Sequence, residues 1–484
     1  MKQSQFALKR ILIAFVVFFE VSIAAAKILA VGPGRQYATP CPAIHAAHPG
    51  DTITIDYNNG VPYHEPPGPP WIGSRSDCVW FTNNLTIVGI NGRPILDASG
   101  EYIQKAIFDV RGADTVIANL EFRHAATPAG QGNNAAGILI EGGTNAPAGG
   151  NVTIQFCYIH NNEDGLLTSD VGPGSSEGDG YPDEYYLSPN PYITLLHDEF
   201  AYNGIDKSGS THNIYIGFDN THKLTVSMEY SWSHDAYAGH VLKTRAPYSN
   251  VFYNMIDDVQ GTSSFLLDFP NGGSDYIVGN VLYKAAATGY NASQRWMWWR
   301  DIYDNGPYYP VYGPPIEDLH FVNNTVVLDS STEGPAFVVL SCNRSDASTC
   351  PPPRNGPALS VNAVVENNIF VGPFIKAVNQ STAVASNNLI KANTPANLAA
   401  LFVDPAHRNY HLVAGASAIS AGLYPPTDNT GAPDPKALPT SEYVSPVSGA
   451  LRAIPTGSVM DEGAYSYSRR SRRPNRVETR HSSP

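Results

Sequence analysis

The sequence predicts an all-β solenoid, in which short strands stack coil upon coil. Two observations on the chain of 484 residues favour this class. Its 42 glycines, 39 prolines and charged fraction of only 15% suit many short strands and turns better than amphipathic helices. In addition, a stretch of alternating apolar residues followed by a polar turn recurs along the chain, for example as VTIQFCYIHNNEDG, ITLLHDEFAYNGID and NVFYNMIDDVQG.

One asparagine recurs at the same place in these stretches, ahead of a pair of β-favouring residues. It stands at Asn254, Asn280, Asn324, Asn368 and Asn388, with spacings of 26, 44, 44 and 20 residues. A short repeat lengthened by loops is typical of a solenoid, and an asparagine at each corner can hydrogen-bond along the stack. A β-sandwich would not give such a column, and the regular units of a β-propeller, with their signature dipeptide, are absent from the sequence.

Residues 1–26 have the features of a secretory signal peptide. Lys2, Lys9 and Arg10 precede the apolar stretch ILIAFVVFFEVSIA, and Ala24–Ala26 supply small residues for cleavage. A retained membrane anchor is the alternative, but the apolar stretch is short and contains a glutamate. We therefore expect a secreted or periplasmic protein without a transmembrane segment after cleavage.

Export makes disulfide bonds possible for the five cysteines of the chain. Cys41 and Cys78 flank an N-terminal segment, and Cys342 and Cys350 bracket a short loop, so the simplest expectation is these two pairs. Other pairings stay open on spacing alone. Cys157, in the strand-like stretch TIQFCYIH, is expected to be a buried free thiol. The sequence has no cysteine and histidine cluster that predicts zinc.

The charge of the chain is divided between an acidic body and a basic tail. Over the whole chain 43 Asp and Glu residues outnumber 30 Lys and Arg residues, although residues 468–484 alone carry six arginines. The acidic body excludes non-specific binding of nucleic acid, which requires clustered basic groups. We expect a monomer with a disordered tail that acts in solubility or surface adhesion.

Several stretches resemble right-handed parallel β-helix proteins. VGPGRQYATPCPAIHAAHPGDTITI looks like their opening, with a capping helix at Cys41–Ala47, whereas Leu401–Gly422 resembles their exit and Asp461–Tyr467 their last strand. Between them, GILIEGG, HNIYIG, GHVLKTR and DFPNGG are similar to secreted bacterial proteins of the pectate-lyase-like superfamily. The resemblance covers residues 27–467 and implies this fold. It implies no single activity, because the superfamily includes lyases, hydrolases, epimerases and non-catalytic proteins.

Three strand-like stretches, HNIYIG, HVLKTR and FLLDFPNGG, follow one another about one coil apart. Strand alternation turns Tyr215, Lys243 and Asp268 outward, where stacking would place them in one column at about 4.8 Å per step. Arg245 lies on the same face as Lys243, whereas His240 is expected to face the interior. The alternation also turns outward Asn213, Val241 and Leu266.

This column predicts cleavage of an acidic polysaccharide by β-elimination, which needs a carboxylate neutraliser, a base and an acid. Arg245 is predicted to hold the uronate carboxylate, and Tyr215 and Lys243 to serve as acid and base in either order. His212 is predicted to reach the column from the preceding turn. Asp268 would orient Lys243, although an ion pair opposes the use of this amine as a base.

Further residues are predicted to bind the polysaccharide around this column. The loop at residues 289–315 contains RWMWWR, which suits stacking on sugar rings. The predicted binding residues are Asn213, His240, Asp268, Asn271, Arg295, Trp298 and Trp299.

We expect no cofactor and no metal. The acidic loop at residues 169–192 offers the alternative of a Ca²⁺ site, but it lacks the spacing of an EF-hand. The RxPxxR pattern of calcium-dependent pectate lyases and the DPHD of alginate epimerases are also missing. The carboxylates that this alternative would use are Asp170, Glu177, Asp179, Asp183 and Glu184.

Two other functions compete with the lyase. A non-catalytic carbohydrate-binding or cell-surface β-helix would bind glycans without forming a product. A glycoside hydrolase that uses Asp235 and Asp268 would release reducing ends without unsaturation. The expected partner is a polysaccharide in all three cases.

Overall fold

Three long parallel sheets dominate the structure, which is a computed structural model. Sheet A has 12 strands, sheet B has 10 and sheet C has 8. The structure describes residues 25–65, 76–127, 135–141, 149–168, 187–204, 210–217, 223–288, 296–299, 317–329, 336–338, 340, 362–379 and 383–467.

The strands of each sheet follow one another along the solenoid. Sheet A comprises Ile28–Val31, Thr52–Asp56, Thr86–Ile90, Thr115–Ala118, Gly149–Gln155, Leu187–Leu196, Thr225–Glu229, Tyr248–Phe252, Gly273–Val278, Glu317–Val322, Asn362–Glu366 and Val384–Ser386. Sheet B comprises Ile95–Asp97, Glu121–Arg123, Tyr158–His160, Glu199–Ala201, Trp232–His234, Met255–Asp258, Val281–Lys284, Thr325–Leu328, Ile369–Val371 and Leu389–Lys391. Sheet C comprises Cys78–Trp80, Ala106–Val110, Ala136–Ile140, Asp164–Thr168, Ile214–Ile216, Leu242–Thr244, Leu267–Phe269 and Met297–Trp299. A further parallel pair is Ala336–Val338 with Lys376–Val378.

Coils in the middle of the solenoid give one strand to each sheet in turn. The coil that contributes Tyr248–Phe252 to sheet A continues through Met255–Asp258 in sheet B and Leu267–Phe269 in sheet C. The chain then re-enters sheet A at Gly273–Val278, which pairs in parallel with the strand where the coil began. The predicted parallel β-helix is therefore confirmed.

Apolar side chains that face inward form a continuous core along the solenoid. In sheet A, Ile53, Ile87, Ile117 and Ile154 lie in register on successive coils and are fully buried. Burial of each such side chain stabilises the fold by about 1.5–3 kcal/mol relative to exposure. Side chains of the same type thus stack on one another in successive coils, and this explains why the apolar pattern recurs from coil to coil.

The N-terminal end of this core is capped as the sequence predicts. Helix Pro40–Ala46 covers it with the buried side chains of Ala43 and Ile44. Cys41 and Cys78 form a disulfide bond, and Cys157 is a buried free thiol, so these predictions are confirmed. Among the described residues, no helix is long and apolar enough to cross a membrane. The predicted signal peptide up to residue 24, the second cysteine pair and the basic tail lie outside the described residues.

The predicted asparagine column is present at the corner between sheets A and B. The Oδ1 atom of Asn280 accepts hydrogen bonds from the backbone and side-chain nitrogens of Asn254, at 2.9 and 3.0 Å. Its Nδ2 donates to the carbonyl of Val251 at 2.7 Å. The left-handed conformation lies one residue earlier, as at Tyr253 with φ of 57°, and not at the asparagine itself. The pattern continues through Asn324, Asn368 and Asn388.

We expect Asn324→Ala to destabilise the fold by about 2–4 kcal/mol, because each buried polar group left unsatisfied costs about 1–3 kcal/mol. Asn324 is fully buried, donates to Ile277 and Asn368, and accepts from Asn280. Asn388→Ala should cost clearly less, since Asn388 is half-buried at the end of the column. Chemical denaturation of both variants measures the difference. Equal losses would show that the ladder does not act through buried hydrogen bonds.

The C-terminal part of the chain differs from the prediction. The coils end at Lys391, and helix Pro395–Leu401 and the 3₁₀ turn Pro405–His407 follow. The remaining strands pair antiparallel outside the coils, and residues 461–467 form no strand. The pairs are Phe402–Asp404 with Asn409–Leu412, Gly422–Leu423 with Val459–Met460, and Ser441–Val444 with Ser448–Leu451.

This C-terminal arm, residues 402–467, runs back along the corner that carries the asparagine column. Thr440 N donates to the Tyr253 hydroxyl at 3.0 Å, and His197 Nδ1 lies 3.0 Å from the carbonyl of Val447. The buried guanidinium of Arg452 donates to the carbonyls of Gly463 and Ala464. The contacts of Thr440 and Val447 hold the arm against the flank, whereas those of Arg452 connect two parts of the arm itself.

Candidate active site on sheet C

Tyr215, Lys243 and Asp268 lie side by side on three successive strands of sheet C. The register pairs Tyr215 with Lys243, Lys243 with Asp268, and Asp268 with Trp298. The Lys243 Nζ atom lies 5.4 Å from the centre of the Tyr215 ring and 3.7 Å from Asp268 Oδ2. The side chains of Lys243 and Asp268 are only 10% and 7% exposed, so their ion pair is shielded from solvent. The predicted column is thus formed, and its catalytic role stays a prediction.

The guanidinium of Arg245 connects this column to the next coil. Its Nε donates to the Tyr215 hydroxyl oxygen at 3.1 Å, and its Nη1 donates to Asn271 Oδ1 at 2.7 Å. Because the phenol oxygen accepts in this contact, its own hydrogen points elsewhere. Arg245, Tyr215 and Asn271 are each half-buried and therefore reach the surface of sheet C. A planar cation held at two points is well suited to receive a carboxylate.

Two buried histidines lie beside the column. The Nδ1 atom of His212 accepts from the backbone N–H of His240 at 3.0 Å, and it also lies 3.0 Å from His240 Nδ1. Since His212 Nδ1 already accepts a hydrogen bond, it carries no proton of its own. His240 Nε2 faces Asp268 Oδ2 at 3.5 Å. Burial, followed by the neighbouring charges of His212, Lys243 and Arg245, holds the pKa of His240 well below its ordinary value.

His240 is buried, as expected, but its ring lies beside the column and not among the apolar side chains of the core. Its ring stacks on Phe265 at 5.2 Å and contacts Asp268, whereas Val241 and Leu266, which were expected to face outward, are fully buried in the core. The chain bends at Val241 and at Leu266, just before two strands of sheet C, so that two successive residues are buried at each place. The alternation of an ideal strand therefore does not extend back to His240.

Asn213 and Trp299 are buried where the sequence predicted binding residues. Asn213 accepts from Asn203 at 3.0 Å and donates to the carbonyl of His234 at 2.8 Å, so it belongs to a second ladder of corner asparagines. Trp299 is fully buried in the core and donates to Asp275 at 2.7 Å. Neither side chain is at the surface that a polysaccharide would contact.

Of the remaining predicted residues, some lie at the column and the others lie outside the described residues. Trp298 is half-buried beside Asp268, and Asn271 holds Arg245. Arg295 and the five carboxylates of the Ca²⁺ alternative lie outside the described residues. The structure therefore brings together Tyr215, Lys243, Arg245, His212, His240, Asp268, Asn271 and Trp298.

A cleft that was not predicted lies at the turns between sheets B and C. Its volume is about 450 Å³, and Tyr202 and Tyr237, which are 42% and 41% exposed, contribute to its walls. The sequence places both tyrosines in polar turns of neighbouring coils, and this was the available signal. The other lining residues are Asn161, Gly204, Asp235, Gln260 and Thr262.

Beside this cleft, His234 is held between two carboxylates. Its Nδ1 lies 2.9 Å from Asp235 Oδ2, and its Nε2 lies 3.4 Å from Glu199 Oε1. Burial alone would lower the pKa of His234, but hydrogen bonds to Asp235 and Glu199 outweigh it and raise the pKa to about 9. The imidazole is therefore positively charged at neutral pH, and it balances the acidic wall of the cleft.

We expect the stability contribution of His234 to be lost in alkaline solution. A histidine whose folded-state pKa is raised stabilises fully below its unfolded pKa, and this contribution is lost as the pH rises through about 9. The melting temperature of the wild type should therefore fall between neutral pH and pH 9 more steeply than that of His234→Gln. Parallel slopes for the two proteins would mean that the imidazolium contributes nothing to stability.

Comparison with known proteins gives only distant likenesses. No protein-family model matches the chain, and no curated protein matches it by sequence. Among solved structures, pectate lyase Pel9A is similar at 15% identity over 92% of this chain and 98% of its own, with a TM-score of 0.47. The GH136 lacto-N-biosidase from Eubacterium ramulus shares 10% identity over 76% of this chain and 68% of its own, with a TM-score of 0.34.

A third similar structure is the Dettilon tailspike protein, at 10% identity over 73% of this chain and 64% of its own, with a TM-score of 0.24. At these values the similarities assign no activity. The fold is instead established by the strand registers of the chain itself. Its three parallel sheets and its column of corner asparagines make the chain a parallel β-helix.

Proposed function

We propose that the protein is a metal-independent lyase that cleaves a uronate-containing polysaccharide by β-elimination on sheet C. The observation that carries this proposal is the convergence of a guanidinium, a phenol and an amine on neighbouring coils. Arg245 donates to the Tyr215 oxygen at 3.1 Å, and Lys243 lies over the ring of the same tyrosine. These are the three groups that the reaction requires.

Arg245 neutralises the uronate carboxylate. Removal of the proton on the neighbouring carbon places additional negative charge on this carboxylate, so a cation positioned in advance favours the transition state over the ground state. The guanidinium carries five N–H donors in one plane, so it can donate to more than one partner at a time. Its contacts with Tyr215 and Asn271 fix its plane before the substrate arrives.

Tyr215 and Lys243 perform the two proton transfers. One group takes the proton from the carbon next to the carboxylate, and the electron pair left behind forms the carbon–carbon double bond. The bond to the departing sugar oxygen breaks, and the other group protonates that oxygen. The ion pair with Asp268 suits Lys243 to donate, whereas the guanidinium on the Tyr215 oxygen suits Tyr215 to accept. This assignment resolves the conflict that Asp268 poses for a lysine base.

The experiment that tests this proposal is an absorbance assay on a panel of alginate, pectate, glucuronan and bacterial exopolysaccharides. A lyase produces an unsaturated uronate, so the ultraviolet absorbance should rise on at least one polymer. The rate should be unchanged by a chelator, because no metal takes part. If the absorbance rises on none of these polymers, the proposed lyase activity is contradicted. If the chelator abolishes activity, the reaction is not independent of metal.

The hydrolase alternative is separated by the source of oxygen in the product. Hydrolysis through Asp235 and Asp268 would add one oxygen atom from water at each cleaved bond, on the new reducing end, whereas β-elimination adds none. Both carboxylates are engaged by cations or imidazoles in the structure, since Asp235 pairs with His234 and Asp268 with Lys243. Mass spectrometry of products made in water enriched in heavy oxygen distinguishes the two reactions.

A further inference from the structure

We propose that the cleft between Tyr202 and Tyr237 is a subsite for a neutral sugar. This inference adds to the proposed function that the substrate carries neutral sugars next to its uronates. It rests on the proposed function for the uronates. The binding of a neutral sugar by the cleft is itself independent of catalysis.

The shape and lining of the cleft fit a sugar ring. A volume of about 450 Å³ accommodates a small saccharide, and two exposed tyrosines present aromatic faces at its edge. Sugars combine apolar ring faces with many hydroxyl groups, so they need aromatic surface and hydrogen-bonding groups together. The hydrogen-bonding groups here are those of Asn161, Asp235, Gln260 and Thr262.

The charge of the cleft favours a neutral ligand over a uronate. Of its described lining residues, none is lysine or arginine, and Asp235 is an acid. Burial would raise the pKa of Asp235, but its hydrogen bonds with His234 and with the backbone of Gln260 outweigh it and lower the pKa. Asp235 thus stays charged at neutral pH and is balanced by the His234 imidazolium, so the described wall offers a uronate no excess of positive charge, while Asp235 can accept from hydroxyl groups. The cations Lys243 and Arg245 lie instead on the column.

The wall of the cleft is preorganised by a buried ion pair. Lys284, which is 2% exposed, donates to Asp258 at 2.9 Å and to the carbonyl of Ser263 at 2.8 Å. Asp258 also accepts from the backbone of Thr262 at 3.0 Å. On the other side of the same turn, Gln260 N donates to Asp235 Oδ1 at 2.9 Å. A wall fixed in this way loses little freedom on binding.

The cleft belongs to the same coils as the column. Tyr202 and Gly204 precede the strand of Tyr215, and Tyr237 precedes the strand of Lys243. Gln260 and Thr262 precede the strand of Asp268 in the same way. A uronate chain lying along the column would therefore bring a neutral neighbour or branch to the cleft.

The test is nuclear magnetic resonance titration of the full chain with methyl glycosides of glucose, galactose, mannose, xylose and rhamnose, and with methyl glucuronide. We expect at least one neutral glycoside to bind and Tyr237→Ala to weaken its binding at least about tenfold, as for an aromatic anchor in a binding site. Tyr202→Asn should also weaken it, and asparagine tolerates the left-handed backbone at this position, where φ is 55°. Tyr192→Ala is the matched control, because Tyr192 is 38% exposed on sheet A.

The outcomes separate the subsite from the lyase. If no neutral glycoside binds, or if the Tyr202→Asn, Tyr237→Ala double variant binds as tightly as the wild type, the subsite is overturned. Tighter binding of methyl glucuronide in the cleft would overturn it as well. Neutral binding that depends on Tyr237, together with no unsaturated product on any polymer, would keep the subsite and remove the lyase.

Discussion

Replacing Lys243 by methionine is expected to lower turnover by about 10²–10⁴-fold, the usual contribution of a positioned acid or base. Methionine keeps the length and the apolar stem of lysine but cannot transfer a proton. The loss should fall on kcat, because the amine acts on the reacting atoms and contributes less to the binding of the polymer. Steady-state absorbance kinetics on the polymer that the wild type cleaves measure it.

Two controls make the Lys243→Met result specific. Lys376→Met removes an amine from an exposed position on the strand Lys376–Val378, which is not part of sheet C, and should leave turnover unchanged. Since Lys243→Met leaves the buried Asp268 without this amine, the double variant Lys243→Met, Asp268→Asn tests for a charge penalty on folding. If the single variant keeps its melting temperature and also its full turnover, Lys243 has no part in proton transfer.

Replacing Arg245 by lysine is expected to lower kcat/KM by about 10²–10³-fold, the scale seen when one preorganised donor to a developing charge is lost. A lysine keeps the positive charge, but it cannot donate to Tyr215, Asn271 and a carboxylate from one rigid plane. The substitution therefore separates geometry from charge. Measurement of kcat/KM across the pH range is the second readout. The pH dependence should shift if Arg245 favours loss of the proton from the Tyr215 phenol.

Arg123→Lys is the matched control for this substitution. Arg123 lies on sheet B, where its Nε contacts Asp97 at 2.8 Å and its Nη1 contacts Glu121 at 3.2 Å. It is thus also an arginine held at two points, but it lies away from the column. We expect its replacement to leave kcat/KM unchanged. Equal losses for the two variants would point to a general effect of arginine on the fold and not to carboxylate recognition.

The fold could be predicted because the residues that make the same interaction in each coil recur visibly along the sequence. Asn254, Asn280 and Asn324 recur because each satisfies the backbone of the neighbouring coil. The column of Tyr215 and Lys243 could be predicted for a related reason, since stacked strands place residues of equal phase side by side. Where backbone periodicity controls position, the pattern of one chain is sufficient.

Positions outside the ideal strand could not be predicted in this way. His240 turns toward Asp268 because the chain bends before the strand, and the phase of the strand carries no sign of that bend. Asn213 looked like a surface residue, yet it fills a corner formed by Asn203 of its own coil and His234 of the next coil. The cleft and the C-terminal arm likewise arise from turns and contacts between segments that are distant in sequence.

The central claim is that a uronate carboxylate binds at Arg245 with its glycosidic oxygen beside Tyr215 and Lys243. A crystal structure of Lys243→Met with an oligosaccharide of the cleaved polymer tests it most directly. We predict a carboxylate within hydrogen-bonding distance of the Arg245 guanidinium and a sugar chain that runs along sheet C. An oligosaccharide bound on sheet A or sheet B, or bound on sheet C with its carboxylate turned away from Arg245, would contradict the account.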